Sequence, residues 1–310
     1  MTPLFYYSLL SLTFIITIKI LLKIQSRRLK NLPPGPPTIP IIGNLHLLKH
    51  PIHRTITTLS QKYGDLISLW FGSRLVVVVS SPSLVQECFT KNDIILANRP
   101  KFITGKYIFY DYTTLGSASY GDHWRNLRRI TTLDVLSNNR LNSFLGVRSD
   151  EVNRLVQKLL KDVTSGGDNF TNVDLRPRLT EMTFNAMMRM ISGKRYYGDD
   201  GDVTDVEEAK QFREIISEIM SLLGANNKGD FLPLLRFFDL DNLEKRCKRI
   251  AKRADAFLEG LIEEHRSGNH SSDGNTMIDN LLKLGELQPE YYSNHVIKGL
   301  IQVIKCSTFS

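Results

Sequence analysis

Two adjoining segments near the start of the chain limit its fold before any helix or strand is counted. Leu4 to Leu22 is almost wholly apolar, broken mainly by Ser8, Ser11, Thr13, Thr17 and Lys19. At about 1.5 Å per residue, a helix over this run is roughly 28 Å long, close to the hydrocarbon thickness of a bilayer. Lys19 lies near one end and can snorkel to the headgroups. No basic residue precedes the run, whereas Lys23, Arg27, Arg28 and Lys30 follow it. The positive-inside rule then predicts an uncleaved single-pass anchor over 1–25, with the following domain on the cytosolic side. A cleaved secretory signal is the alternative, but it wants a basic start and a better cleavage site than Gln25-Ser26-Arg27-Arg28. The cytosolic orientation predicts that the sequons at Asn169 and Asn269 stay bare. Pro33-Pro34-Gly35-Pro36-Pro37 cannot be helical, because proline fixes φ and pushes the residue before it to extended geometry. Residues 26–40 therefore read as a basic, proline-rich hinge, a stiff spacer before a domain over 41–310. A proline-rich ligand for another protein's groove is the competing reading, though no further repeats accompany it.

The bulk of the chain is ordinary for a globular protein. It has 310 residues, 42% hydrophobic and 23% charged, enough for one large domain or two smaller ones. The net charge of +8 fits nucleic acid, an anionic membrane face or an acidic protein partner. Without a zinc-ligand array, an RNA-recognition aromatic motif or a basic heptad, nucleic acid is set aside. Cys88, Cys247 and Cys306 are odd in number and widely spaced, which argues against a disulfide framework and for a reducing compartment. His46, His50 and His53 imitate metal-ligand spacing, yet Pro51 interrupts them and no carboxylate or thiol supports them, so no metal site is expected there.

Periodicity predicts a mainly α protein with a small β-sheet, an α+β fold. Ile52, Ile56, Leu59 and Tyr63 make a helical stripe closed by Gly64. Leu66–Phe71 and Leu75–Val79 read as a hairpin around Gly72-Ser73-Arg74, and their unbroken apolar character predicts a sheet covered on both faces. Ser81-Pro82 opens another helix. Ser119-x-x-Asp122 is a capping-box signal for a helix from Tyr120 to about Leu133. Trp124 and Arg128 then lie one turn apart on one face. After Arg140 the pattern is helical over Leu141–Leu160 (stripe Val152, Leu155, Val156, Leu159), Leu175–Ile191, Glu207–Leu223, Asp241–Arg266, Met277–Leu284 and Pro289–Lys305. Breaks are predicted at Gly166–Asn169, Asp199–Asp205, Gly224–Gly229 and Ser267–Thr276. Met182, Met187, Met188 and Met190 read as core filler. The basic run from Lys245 to Arg253 reads as a solvated or membrane-facing side.

The anchor, the proline hinge, the hairpin, Ala97-Asn98-Arg99-Pro100, Ser119-Tyr-Gly-Asp-His-Trp-Arg-Asn-Leu-Arg-Arg129 and Asp230-Phe-Leu-Pro233 occur in an order that resembles the N-terminal portion of a plant microsomal cytochrome P-450, a haem-thiolate monooxygenase. The wording at 120–130 is most similar to the isoflavone 2′-hydroxylase-like group. The resemblance implies a haem cofactor, with Trp124 and Arg128 as the clamp on its propionates. It implies that the aromatic stretch Lys101–Ala118 is a substrate-recognition region, with Thr114 and Leu115 nearest the haem. Packing of that stretch on its own core explains the residues equally well. The resemblance also implies a small apolar plant metabolite as substrate, an NADPH-dependent cytochrome reductase as electron donor, and residence at the endoplasmic reticulum membrane.

Haem-thiolate chemistry needs an axial cysteine. Cys88 lies in Gln-Glu-Cys-Phe, Cys247 in Lys-Arg-Cys-Lys and Cys306 near the last residue, and none has the glycine-flanked setting of the family's thiolate loop. Glu151–Arg154 and Glu263–Arg266 match the letters of the family's structural pair but fall too early, and read as i,i+3 surface pairs. The helix from His295 departs from the family's acid-threonine pattern after Ile301. No catalytic residue or iron ligand is therefore assigned. The 310 residues are expected to be inactive alone and poorly covered at their haem-side faces, which favours aggregation. The alternatives are a membrane-tethered non-catalytic relative that competes for reductase, or a truncated gene product.

Overall fold

The computed structural model describes residues 3–27, 31–165, 172–198, 203, 205–223, 228–232, 235, 242–268 and 276–307. The predicted break at Gly166–Asn169, both sequons, most of the Asp199–Asp205 loop, residues 224–227 and most of the Ser267–Thr276 linker lie outside them.

In chain order the elements are α1 (Pro3–Arg27), α2 (Ile52–Tyr63), β1 (Leu66–Phe71), β2 (Arg74–Val79), α3 (Pro82–Thr90), α4 (Asp93–Leu96), α5 (Ile103–Tyr107), α6 (Asp122–Ile130), α7 (Asn138–Ser143), α8 (Leu145–Ser165), α9 (Leu175–Ser192), α10 (Val206–Leu223), α11 (Lys228–Phe231), α12 (Leu243–Arg266), α13 (Met277–Leu287) and α14 (Asn294–Ser307). The protein is thus mostly helical with one two-stranded sheet, as predicted. Among the described residues, no helix is long and apolar enough to cross a membrane. The chain divides into two compact units, residues 1–96 with 227–241, and residues 97–226 with 242–310.

The first unit is built on the hairpin. β1 and β2 pair antiparallel from Leu66 opposite Val79 to Phe71 opposite Arg74. Gly72 sits in the left-handed region at φ +58°, and a Cβ there would fall on the Phe231 carbonyl. That carbonyl accepts from Ser73 N–H at 2.9 Å, the Asp230 carbonyl accepts from Arg74 Nε at 2.7 Å, and the Phe231 ring meets Phe71 edge-on. Asp230-Phe231 thus serves as the strap over the hairpin turn. Proline geometry holds residues 32–38 extended, but they are no free spacer. Pro34 C=O accepts from Ser68 N–H at 3.0 Å and Pro33 C=O accepts from Ser68 Oγ at 2.7 Å, so the segment lies along the open edge of β1. Gly35 is needed for this approach, because a Cβ would run into the Ser68 carbonyl.

The expectation of a sheet covered on both faces does not hold. Ile67 and Leu69 are buried, whereas β2 has no buried residue and Val77 is 46% exposed. Two strands expose too little area to be sandwiched, and continuous apolar lettering alone did not distinguish an edge ribbon from an enclosed one.

In the second unit, α6, α9, α10, α12, α13 and α14 share one core that includes Leu127, Phe184, Met188, Phe212, Leu258 and Ile297. Each such side chain contributes about 1.5–3 kcal/mol by leaving water. Phe212 stacks on Phe257 with centroids 4.6 Å apart, and Tyr196 lies 4.7 Å from Phe212. Met188 and Met190 are core residues, as read. A second cluster joins Ile103 and Ile108 to Ile215, Leu222, Cys247 and Ile250, which seats α5 against α10 and α12.

Helix α8 departs from its reading. Leu155 and Leu159 are half-buried, but Val152 and Val156 of the predicted stripe are exposed. Between α8 and α9 runs a ladder of charges. Lys158 pairs with Glu181 at 2.5 Å, Arg178 with Asp162 at 3.0 Å, and Arg189 with Asp150. Glu151 is 2% exposed and accepts from Arg189 Nη1 at 2.7 Å and from Arg195 Nη2 at 3.2 Å. It is therefore not the surface partner of Arg154 that its spacing suggested. Glu263–Arg266 is an exposed i,i+3 pair, as read.

Candidate functional site

Helix α6 carries the central motif. It begins at Asp122, two residues later than predicted, and the expected capping box does not form. Gly121 takes the cap position without a side-chain bond, and Asp122 turns to Arg125. At the first helical position its carboxylate cannot reach back to Ser119. Asn98 fixes the approach instead, its Oδ1 accepting from Tyr120 N–H at 3.2 Å. Leu127 and Ile130 point into the core. The last turn, Thr131–Val135, opens into a π-helix, where Thr131 Oγ1 donates to the Leu127 carbonyl at 2.9 Å.

Trp124 and Arg128 stand together as their spacing predicted. The guanidinium carbon lies 5.3 Å from the indole centroid, and the Tyr120 ring lies tilted beside the indole with centroids 5.5 Å apart. This stacking holds the guanidinium plane in place and contributes about 0.5–1 kcal/mol. Arg125 is occupied by Asp122 and the Tyr120 ring, and Arg129 donates to Asn126 Oδ1 at 3.0 Å. Among the described residues, neither the Trp124 indole N–H nor the Arg128 guanidinium has a hydrogen-bond or ion-pair partner. Two free donors on one helix face suit a ligand edge carrying carboxylates, with the arginine fork able to bind one in two-point fashion.

That donor set fits the propionate edge of a haem. The iron's thiolate is another matter. Cys247 is fully buried in the apolar cluster on α12, and Cys88 is half-buried on α3. Apolar neighbours enclose the Cys247 thiol and keep it from a ligand. Among the described residues, no group of histidine, cysteine and acidic side chains could hold a metal ion.

The stretch from Lys101 to Ala118 is a shaped loop rather than a loose one. α5 opens it, and Tyr110, Asp111 and Tyr112 follow in the left-handed region at φ +49°, +52° and +63°. Such residues cost about 1–3 kcal/mol each and persist where their surroundings hold them. Thr114 is buried, bonds Ser117 Oγ at 2.8 Å and packs against α14, where a Cβ on Gly299 would lie 3.4 Å from its methyl. Leu115 is half-buried against the main core. A cavity of about 530 Å³ lies elsewhere in this unit, lined by His265, Arg266, Asp279, Lys283, Tyr292 and Asn294 among others. None of Thr114, Leu115, Trp124 and Arg128 lines it.

Sequence reasoning missed the groups that hold this loop. Tyr110 O–H donates to Asp255 Oδ1 at 3.0 Å, and Lys298 Nζ donates to the same oxygen at 2.7 Å and to Glu259 Oε2 at 2.5 Å. Burial raises the Tyr110 hydroxyl well above the ordinary phenol range, and the Asp255 charge raises it further. Burial pushes the Lys298 ammonium down, but bonds to Asp255 and Glu259 outweigh this and leave it raised. A signal was present: one lysine inside the apolar run Val296–Ile301 of α14, and two acids four apart on α12.

Comparison with known proteins follows the same lines. The family model described as Cytochrome P450 matches residues 33–304. An isoflavone 3′-hydroxylase of Medicago truncatula is 87% identical over 96% of this chain and 60% of its own length. An isoflavone 2′-hydroxylase of Glycyrrhiza echinata is 62% identical over 94% of the chain and 56% of its own length. An isoflavone 2′-hydroxylase of Medicago truncatula is 61% identical over 95% of the chain and 58% of its own length. The chain thus spans about 60% of the length of the curated relatives it matches. The matched family model and these relatives make this chain a member of the cytochrome P450 family.

Proposed function

We propose that the whole protein is a membrane-anchored haem-thiolate monooxygenase that hydroxylates the pendant aryl ring of an isoflavone. Electrons come from an NADPH-dependent cytochrome reductase; one oxygen atom of O₂ enters the ring and the other leaves as water. The observation that carries this is the pair of free donors at Trp124 and Arg128 in a chain so similar to isoflavone hydroxylases. Haem, when bound, supplies the oxygen activation that amino-acid side chains cannot. Arg128 and the Trp124 indole N–H would hold its propionates, and the loop that carries Thr114 and Leu115 would border the substrate. Arg125 and Arg129 are exposed on the same helix and are open to an acidic partner surface.

Helix α1 exposes Tyr6, Leu9, Leu10, Leu12, Phe14 and Ile16, a face suited to lipid rather than water. We place this face against the endoplasmic reticulum membrane, with the catalytic portion in the cytosol and residues 32–38, held along β1, joining the two. Neither Cys88 nor Cys247 is set to ligate iron, and the Cys306 side chain lies outside those described; we infer that the 310 residues alone give no thiolate-ligated haem and no turnover. A carbon-monoxide difference band characteristic of thiolate ligation, obtained from this chain alone, overturns that statement.

Two measurements test the reading. Hemin titrated into the full chain in detergent micelles is followed by Soret absorbance and tryptophan quenching. Arg128→Ala is expected to weaken binding about 10- to 100-fold, the worth of a charge-assisted hydrogen bond. Equal affinity in the variant refutes the propionate role. Separately, a chimera joining this chain after Ile301 to the remaining portion of the Medicago 3′-hydroxylase is assayed in reductase-containing microsomes. It should convert isoflavone to a product heavier by one oxygen, and loss of all conversion removes the proposed activity.

A further inference from the structure

We propose that Tyr110, clamped by Asp255 and Lys298, is the positioning residue that fixes where Thr114 stands and so sets the orientation of the bound aromatic substrate. The substrate half of this statement rests on the function proposed above; the clamp does not.

The backbone comes first. Three consecutive non-glycine residues, Tyr110, Asp111 and Tyr112, are left-handed, and such a run does not persist unless something outside it holds both ends. Both ends are held by tyrosines. At the far end, Tyr112 lays its ring over Gly105, where a Cβ would come within 2.6 Å of it, and its hydroxyl donates to the Phe102 carbonyl at 2.9 Å. That tie is local to the loop. At the near end, Tyr110 reaches two other helices, donating to Asp255 on α12 and packing edge-on against His295 of α14 with centroids 4.4 Å apart.

The carboxylate that receives Tyr110 is not free to wander. Asp255 and Glu259 are one turn apart on α12, and their like charges repel. Lys298, 8% exposed, bridges them and fixes both. Asp255 Oδ1 therefore accepts two bonds at once, from a phenol and an ammonium. The position of Tyr110 is thus set by an ion triad spanning α12 and α14.

From Tyr110 the constraint passes to Thr113 and Thr114. The Thr113 hydroxyl gives its one proton to the Tyr110 carbonyl at 2.6 Å, so its contact with His295 Nε2 at 3.2 Å must have the imidazole as donor. The Thr113 carbonyl can only accept, so His123 Nε2 donates to it at 2.7 Å from the helix that carries Trp124. Thr113 is in this way tied to α6 and α14 together. The next residue, Thr114, packs beside Gly299, adjacent to Lys298. Lys298 of the triad and Gly299, on which Thr114 packs, are thus neighbours on α14.

The first test uses amide hydrogen exchange on the full chain in detergent micelles. Tyr110→Phe keeps the ring and its packing on His295 but removes the hydroxyl. Exchange of the amides of Thr113, Ser117 and Ala118 is expected to speed up about tenfold or more, while α9 and α13 are unchanged. Lys298→Met should loosen the same amides, and Lys298→Arg, which keeps the charge, should restore most of the protection. Unchanged exchange in Tyr110→Phe overturns the clamp. The second test uses the chimera described above with isoflavone. Tyr110→Phe is expected to raise KM severalfold and shift the ratio of positional products, with kcat within about twofold. Loosened amides with an unshifted product ratio and KM overturn the positioning role while leaving the proposed function standing. A chimera that is inactive even with Tyr110 overturns the function and the substrate half together, and the exchange result then decides the clamp by itself.

Discussion

Replacing Glu151 by glutamine tests the charge ladder between α8 and α9 at its most enclosed point. The carboxylate accepts from Arg189 and Arg195, whose side chains are 23% and 11% exposed. Glutamine keeps the shape but leaves two partly buried guanidiniums with one fewer counter-charge. Breaking a buried pair by removing one partner costs about 3–5 kcal/mol. Arg189 keeps Asp150, so the lower end, about 3 kcal/mol, is expected here. That is a large part of the roughly 5–15 kcal/mol that stabilises a typical domain. The neighbouring Asp150→Asn is the control, since its side chain is 41% exposed and its pairs should contribute about 1 kcal/mol or less. The two tryptophans, Trp70 and Trp124, fall in different units, so a Trp70→Phe background leaves Trp124 fluorescence to report on this one. With a urea slope of about 1–3 kcal/mol per molar, Glu151→Gln should lower the midpoint by about 1 M or more and Asp150→Asn by much less. Equal shifts for the two adjacent acids would refute the argument from burial.

Two further outcomes follow from local geometry. Gly72→Ala forces a side chain into a left-handed turn and onto the Phe231 carbonyl, and should cost about 2 kcal/mol or more, read by Trp70 fluorescence during urea unfolding of a Trp124→Phe background. Asp279, buried against Thr276 and His265, has its carboxyl held below the ordinary 3.8; burial alone would raise it, but bonds from Thr276 and His265 prevail. A lowered folded pKa means its stabilisation is complete above the unfolded value and is lost as pH falls through the folded one. Asp279→Asn should therefore flatten the loss of thermal stability as the pH falls below 3.8 while lowering stability at neutral pH, and an unchanged acid profile would show that the capping box at the start of α13 is not the group responsible.

The parts of the fold that follow from local rules were legible in the chain. The hairpin, α2 with Gly64 beyond it, α3 opening on Pro82, and the long helices after Arg140 follow from period and punctuation. The pairing of Trp124 with Arg128 follows from helical spacing alone. What stayed hidden depends on partners distant in sequence. The capping box at Ser119 does not form because the helix begins at Asp122, and the approach is tied instead to Asn98, some twenty residues away. Gly35 is required by Ser68, and Asp230-Phe231 matters because the hairpin turn leans on it. The clamp on Tyr110 draws on residues from both α12 and α14, and no window of the sequence contains more than two of its members.

Helix α8 gives the clearest case of a pattern whose sign was misjudged. With its inward side given to Glu151, Lys158 and Asp162, its apolar letters turn outward: Val152, Val156, Leu160 and Val163 are 46–62% exposed, and they recur every three to four residues as one stripe. Leu175 and Leu179 on α9 are exposed as well. A buried valine would contribute about 1.5 kcal/mol or more, whereas an exposed one contributes little. Val156→Lys should therefore leave the urea midpoint within the equivalent of about 0.5 kcal/mol. It should also raise the temperature at which the chain aggregates, because a continuous apolar stripe is a self-association surface and a charge at its centre interrupts it. Light scattering during a thermal ramp measures the second effect. A cost above about 1.5 kcal/mol would mean that Val156 is covered, and the account of α8 as a helix with its charges facing α9 and its apolar side in solvent would fail.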